Sequence, residues 1–223
     1  MSGLKDVFLN QYEDCETKEF KRGQVLYYQN EVPRHAGFIL KGSIAVNSMN
    51  INGDERKVAL LDTNDITPLE CIFGNDKACR YIYQSFTSVE ILLIPIKRFK
   101  EDLKDNTSLI AALLERASLN LNASLINIEA LGQPRVRDKI IYIFRYLLKR
   151  YGADQDNGWW RIEARFTQED IANMIGITRE TVAVELGKLK KEGIIDSGSF
   201  HYSVNLEKLI SSGNKEAWKD FIS

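Results

Sequence analysis

Between residues 20 and 95 the apolar positions come in short β-branched or aromatic bursts, broken by glycine and asparagine. The runs are Val25-Leu-Tyr-Tyr28, Gly37-Phe-Ile-Leu40, Ser43-Ile-Ala-Val46, Lys57-Val-Ala-Leu-Leu61 and Val89-Glu-Ile-Leu-Leu-Ile-Pro95. Each is short and rich in residues that suit a pleated strand. Asn52-Gly53, between two of them, predicts a hairpin because both residues tolerate the positive φ of a tight turn. Gly23 and Gly42 mark similar breaks, and Pro95 ends the series. Many short strands so closely spaced predict a sandwich, barrel or jelly roll.

From about Lys97 to Leu131 the pattern turns helical. Ile110, Leu114, Ala117, Leu121, Ser124, Ile128 and Leu131 recur at 4-3-4-3-4-3 spacing, a heptad seam sustained for three heptads. The rest of that stretch is largely polar, with Ser118, Asn120, Asn122 and Asn127. Such a helix, ~37 Å long at 1.5 Å per residue, either lies along its own domain or forms a seam with another chain. The parallel homodimer seam is the expected use, with Ser124 as a polar break in it. Gly132-Gln-Pro134 then interrupts the helix, since Pro134 cannot extend it and disfavours helical geometry at Gln133. This is the expected domain boundary. An amphipathic helix follows from Arg135 to Tyr151, then an acidic loop (Ala153–Gly158) and a strand from Trp159 to Phe166.

Thr167-Gln-Glu-Asp170 is a helix start, a threonine cap with an acid three residues on that reaches back. A short helix carries Ile171, Ala172 and Ile175. Gly176 makes a turn, Thr178 caps again, and a second helix runs to about Glu192 before Gly193. Ala172 lies four residues before the glycine and Val182 six after it. A small residue there lets two helices approach, and a β-branched one locks them. That spacing predicts a helix-turn-helix. Ile194-Ile195, Ser197-Gly198 and Phe200-His-Tyr-Ser-Val204 read as strand, turn and strand, the wing of a winged variant. Arg179 and Glu180 open the second helix, where base edges are read in the major groove. Arg pairs with guanine O6 and N7, and Glu accepts from cytosine N4. Thr167 and Thr178, at two helix starts, are placed to hold phosphates through hydroxyls and backbone N–H groups.

Charge permits this without advertising it. The chain of 223 residues has a net charge of −1. Residues 1–133 carry 15 Lys+Arg against 18 Asp+Glu, and residues 134–223 carry 15 against 13, a modest cationic bias on the DNA-reading side. Specificity is therefore expected from base contacts and dimer geometry more than from a broad electrostatic patch. Three cysteines (Cys15, Cys71, Cys79) and two histidines (His35, His201) supply neither a zinc ribbon nor the His cluster of a cupin enzyme. No metal site and no catalytic residue are expected; Cys71 and Cys79 become a redox pair if the fold joins them. No uninterrupted apolar run approaches the ~20 residues of a membrane span, and the polar N-terminus does not read as a secretory signal, so a cytoplasmic protein is expected.

Phe38-Ile-Leu-Lys-Gly-Ser-Ile-Ala-Val46, the helical stretch 97–131, Phe166-Thr-Gln-Glu-Asp-Ile-Ala172 and Gly176-Ile-Thr-Arg-Glu-Thr-Val182 together resemble the family of the cyclic-AMP receptor protein and the fumarate–nitrate regulator. The resemblance covers almost the whole chain and is most specific at the helix-turn-helix. It implies an α+β fold: a double-stranded β-helix (jelly roll) over 1–100, a dimerisation helix over 101–132 and a winged helix-turn-helix over 133–223. It also implies a homodimer on double-stranded DNA with a pseudo-palindromic operator, a small-molecule effector, and RNA polymerase as a further partner. A second reading is a sensor acting mainly through protein contacts.

Two departures are informative. Pro68-Leu-Glu-Cys through Cys79-Arg-Tyr81 stands where cyclic-nucleotide binders carry their phosphate cassette. Glu70 fits the ribose-binding carboxylate and Arg80 the phosphate-binding arginine, with Asn120 or Ser124 reaching the same pocket. Leu69 replaces a glycine, however, and Tyr81 a small hydroxyl residue, filling a cradle that relies on free backbone N–H groups. The expected effector is something other than a cyclic nucleotide, or none. The cysteine cluster of oxygen-sensing members is missing. At the recognition helix, Val184 stands where a further base-reading Arg is usual, and Val touches only a thymine methyl. The expected DNA contacts are Thr167, Gln168, Thr178, Arg179, Glu180, Thr181, Val184 and Lys188.

Overall fold

The computed structural model describes residues 4–50, 53, 55–198 and 201–212. The chain forms two compact units, one up to Asn122 and one from Ala123.

In the first unit the elements are α1 (Leu4–Gln11), β1 (Glu16–Phe20), β2 (Val25–Tyr27), β3 (His35–Lys41), β4 (Ile44–Met49), β5 (Glu55–Leu61), β6 (Ile66–Thr67), α2 (Leu69–Ile72), β7 (Ile82–Ser85), β8 (Val89–Pro95) and α3 (Ile96–Asp102), followed by the first turns of α4 (Thr107–Gly132). The strands make two four-stranded sheets, ordered β1-β8-β3-β6 and β2-β7-β4-β5, the jelly roll that the resemblance implies. Alternation explains why β3 and β8 read as continuous apolar runs. Ile39 and Ile91 point between the sheets with Ile44, Val46 and Tyr83. Ala36, Phe38, Leu92 and Ile94 point the other way, under Phe8, Phe99 and Leu109 of the helices. Both faces of these two strands are covered, so neither can be polar.

Gly42 turns β3 into β4 with φ +87, and a Cβ there would lie 2.2 Å from the Ser88 carbonyl oxygen. The β4–β5 strands pair as expected. Asn52, at the tip of that predicted hairpin, lies outside the described residues; Gly53 beside it has φ +84.

The largely helical stretch expected from about Lys97 consists of α3 and the long α4, 26 residues. A 3-10 turn at Leu103–Asp105 follows α3, and Asn106 then caps α4, its Oδ1 accepting from the Leu109 N–H at 3.0 Å. An N-cap residue competes with the helix that precedes it. Beyond the cap α4 has two apolar stripes. Leu109 and Leu113 are buried against the roll, whereas Ile110, Leu114, Leu121, Ile128 and Leu131, the predicted seam, are 41–69% exposed. Leu119 and Leu125 are exposed beside them, and Ala117 and Ser124 are half-buried. By length and mean hydropathy α4 would suffice to cross a membrane. Two of its polar side chains, however, are tied into the roll. Arg116 donates to Asp65 Oδ1 from Nε (3.1 Å) and Nη2 (2.9 Å), and Asn120 donates to the same oxygen at 2.9 Å.

Asp65 is 1% exposed, and its other oxygen accepts from the Asp62 N–H at 2.7 Å. Asp65→Ala takes the acceptor from three donor groups, the Arg116 guanidinium, the Asn120 amide and the Asp62 N–H. It is expected to destabilise the first unit by about 2–4 kcal/mol in urea unfolding, below the full cost of an orphaned buried ion because Arg116 keeps some water. A loss under about 0.5 kcal/mol, the scale of an ordinary surface change, would show that the network carries no stability.

The second unit holds the end of α4, then α5 (Val136–Tyr151), β9 (Gly152–Asp154), β10 (Trp159–Ile162), α6 (Gln168–Ile175), α7 (Arg179–Lys191), β11 (Ile195–Ser197), β12 (Tyr202–Asn205) and α8 (Leu206–Ser211). Its sheet is ordered β11-β12-β10-β9. Two expectations need correction. Part of the predicted acidic loop is strand β9, paired to Trp160 and Arg161. The strand predicted to reach Phe166 ends at Ile162, where the Glu163 N–H turns to the Tyr151 carbonyl at 2.9 Å. Phe166 instead packs on Tyr151, ring centroids 5.5 Å apart. The wing strands form as expected, although Phe200 lies outside the described residues.

Candidate nucleic-acid interface

The start of α6 is a complete capping box. Thr167 Oγ1 accepts from the Asp170 N–H at 3.0 Å, and Asp170 Oδ2 accepts from the Thr167 N–H at 2.9 Å and from its hydroxyl at 2.8 Å. Gly176 adopts the left-handed conformation (φ 67, ψ 38) and donates to the Ala172 carbonyl, as does the Ile177 N–H at 3.2 Å. That turn swings the chain into α7, where Val182 and Leu186 bury against α6 residues Ala172 and Ile175. Thr178 caps α7, accepting from the Thr181 N–H at 3.3 Å, and its hydroxyl lies 2.8 Å from that of Thr181. The hydroxyls of both capping threonines are thus engaged within the protein. The backbone N–H groups at the helix starts are what remains for phosphate, a narrower role than the sequence implies.

One face of α7 holds Val182, Glu185, Leu186 and Leu189 inward. The other presents Arg179, Glu180, Val184, Gly187 and Lys188 outward; Val184 is 62% exposed. Arg179 and Glu180 form no ion pair with each other or with any other described residue. Gln168 is half-buried in the first turn of α6. Lys188 is exposed, but its ammonium rests on Glu185 at 2.8 Å.

Glu185 itself was not foreseen. It sits at an inward position, three residues after Val182, and an acid on the apolar stripe is the signal that would have found it. Arg137 lies 3.6 Å from it and holds Glu192 through Nη1 (2.8 Å) and Nη2 (2.5 Å). This guanidinium keeps the Glu192 carboxyl below its usual pKa range. Lys190 reaches Asp196 at 2.9 Å. These pairs fix the recognition helix to α5 at one flank and to the wing at its end.

The four residues assigned to an effector pocket do not form one cluster. Glu70 accepts from the Arg80 N–H at 3.3 Å, but the Arg80 guanidinium turns to Asp76 at 3.0 Å and is 64% exposed. Asn120 is committed to Asp65. Ser124 lies one turn further along α4, in the second unit. Tyr83, unmentioned by any motif, donates to Glu70 Oε2 at 2.5 Å, and burial, with this bond, pushes its phenol far above its usual range. A cleft of about 260 Å³, lined by Lys18, Phe20, Tyr27, Arg34 and His35 among others, uses none of the four.

Comparison with known proteins agrees with this geometry. The Crp-like helix-turn-helix domain matches residues 143–211, and the cyclic nucleotide-binding domain matches residues 17–106. The global nitrogen regulator of Nostoc sp. is 27% identical over 79% of this chain and 79% of its own. The HTH-type transcriptional regulator ArcR of Staphylococcus epidermidis is 26% identical over 86% of this chain and 82% of its own. In fold, a CooA mutant from Carboxydothermus hydrogenoformans superposes with a TM-score of 0.78 at 20% identity, covering 95% of each chain. A CRP/FNR-family transcriptional regulator from Thermus thermophilus gives 0.68 at 23% identity, covering 88% of this chain and 97% of that one. The ArcR and Thermus proteins are transcriptional regulators. A cyclic nucleotide-binding-type roll, a long helix and a Crp-like helix-turn-helix in one chain place this protein in the Crp/Fnr family of DNA-binding transcription regulators.

Proposed function

We propose that the chain works as a cytoplasmic homodimer on a pseudo-palindromic operator. Residues 1–100 sense, 101–132 dimerise and 133–223 read DNA, and RNA polymerase is the further partner at promoters. The observation that carries this reading is the outward face of α7, where Arg179 and Glu180 form no ion pair among the described residues and Val184 stands bare one turn on. Arg179 reads guanine, Glu180 reads cytosine and Val184 touches a thymine methyl. Lys188 steadies the helix through Glu185 and leaves its stem against the backbone. Gln168 and the first N–H groups of α6 and α7, at the helix starts that Thr167, Thr178 and Thr181 cap, serve the phosphates.

The effector, where one acts, is not a cyclic nucleotide. Leu69 and Tyr81 stand in the cassette, and the arginine that would meet a cyclic phosphate is turned away to Asp76.

The purified chain, challenged with random double-stranded DNA with and without cell extract, is expected to enrich one inverted repeat. Its half-sites should be centred one helical turn apart, ~34 Å. Enrichment only with extract would assign a required effector. No enrichment under either condition would sink the DNA-reading proposal and favour a sensor that acts through protein contacts.

A further inference from the structure

We propose that Glu70, Cys71 and Cys79 form a binding site for a thiophilic divalent cation in the roll. A Glu70 carboxylate oxygen and the two Sγ atoms all lie within 4.8 Å of one another. Cys71 and Cys79 are eight residues apart in sequence and belong to different segments, α2 and the loop ahead of β7. The fold joins them between the two sheets, packed with Tyr27, Ile44 and Tyr83.

The site is held from outside as metal sites are. The Cys79 N–H donates to the Glu31 carbonyl at 2.8 Å, and its own carbonyl accepts from the Asn30 N–H at 2.7 Å. Tyr83 and the Arg80 N–H fix the two oxygens of Glu70, the orienting bonds that a ligating carboxylate receives from its surroundings. A tetrahedral ion with bonds of ~2.0–2.3 Å spaces its ligand atoms roughly 3.3–3.8 Å apart. At up to 4.8 Å, the present triangle exceeds that by about 1–1.5 Å at most, within the reach of side-chain rotation. Three protein ligands leave the fourth position to water, the arrangement of an open site.

Cys71 is 7% and Cys79 1% exposed. Burial is the main cause that pushes both thiols above their usual range, and neighbouring Glu70 adds to it. A divalent ion displaces both thiol protons, forming two metal–sulfur bonds and releasing two protons, so uptake strengthens as pH rises.

The test uses the full chain, reduced with a phosphine, and Co2+ and Zn2+ as probes. Expected is one equivalent of Co2+ per chain with the near-ultraviolet thiolate charge-transfer band, displaced by Zn2+. Cys71→Ser and Cys79→Ser should each weaken uptake by at least about 100-fold, and Tyr83→Phe by about 10-fold, while Cys15→Ser leaves it unchanged. Because a core cysteine variant can misfold, alkylation of the unaltered chain gives a second readout. Zn2+ should protect Cys71 and Cys79 but not Cys15. Absence of the band with no protection would overturn the site. So would a Cys71–Cys79 disulfide that forms equally fast with and without Zn2+. The measurements involve no DNA, so their failure leaves the operator reading untouched.

Discussion

A chain carrying Leu114→Glu and Leu121→Glu is expected to sediment as a monomer with its fold intact, and the unaltered chain at the same concentration as a dimer. Both positions are more than 60% exposed, so each exchange removes nothing from the chain's own core, and thermal unfolding of the isolated fold should hardly move. What changes is an exposed apolar face of α4. Leu114, Leu121, Leu125 and Ile128 present it as a continuous stripe, longer than a lone surface leucine would be. Burying such a side chain contributes ~1.5–3 kcal/mol when complete. The half-exposed residues of two copies together supply on the order of 10 kcal/mol, the scale of a sub-micromolar dimer before association costs. Two glutamates per chain set four carboxylates in that seam, against which the dimer constant should weaken by at least ~1000-fold. Operator binding should then fall to that of a single half-site. A double variant that remains dimeric at micromolar concentration would remove α4 from the interface.

The parts of this protein legible in its sequence are those where one physical requirement dominates. The helix-turn-helix was readable because Ala172, Gly176 and Val182 answer to fixed spacing, closeness and a left-handed turn. The runs that became β3, β4, β5 and β8 were readable because both or one of their faces is apolar. Strand β1, Glu-Thr-Lys-Glu-Phe, was not: four of its five residues are exposed, and it is a strand because β8 offers a free edge to pair with. Strand β7 and helix α2 escaped for the same reason, being short and held by contacts distant in sequence. The break at Asn106 was in the letters but lost among helix formers on both sides. At the effector region, sequence register correctly brought Glu70 and Arg80 together. It could not tell that Arg80 meets Glu70 only by its backbone, nor that Tyr83 holds the carboxylate, because side-chain direction is settled by packing. The nearness of Cys71 and Cys79 likewise depends on sheet closure.

Arg179→Ala is the exchange that should most alter what the protein recognises. Arg179 is exposed at the first position of α7, has no described partner to lose, and supports no packing, so the variant should fold and dimerise as the unaltered chain does. If it pairs with guanine, each half-site loses ~1–3 kcal/mol of discrimination, and a dimer loses it twice. Operator affinity should therefore fall by roughly 30-fold to 10⁴-fold in gel-shift or anisotropy titrations. Binding to random DNA should change by no more than about 3-fold, and the slope of affinity against salt should stay as it was, since a base contact releases few counterions. Substituted half-sites separate the roles further: the variant should become indifferent to the base that Arg179 reads while keeping its preference at the position opposite Val184. A phosphate role would give the opposite record, with equal losses on operator and random DNA and a salt slope reduced by about one. That outcome would move base recognition to Glu180 and Val184 alone, which supply one acceptor and one methyl contact, too little to define an operator among ~10⁶–10⁹ competing sites.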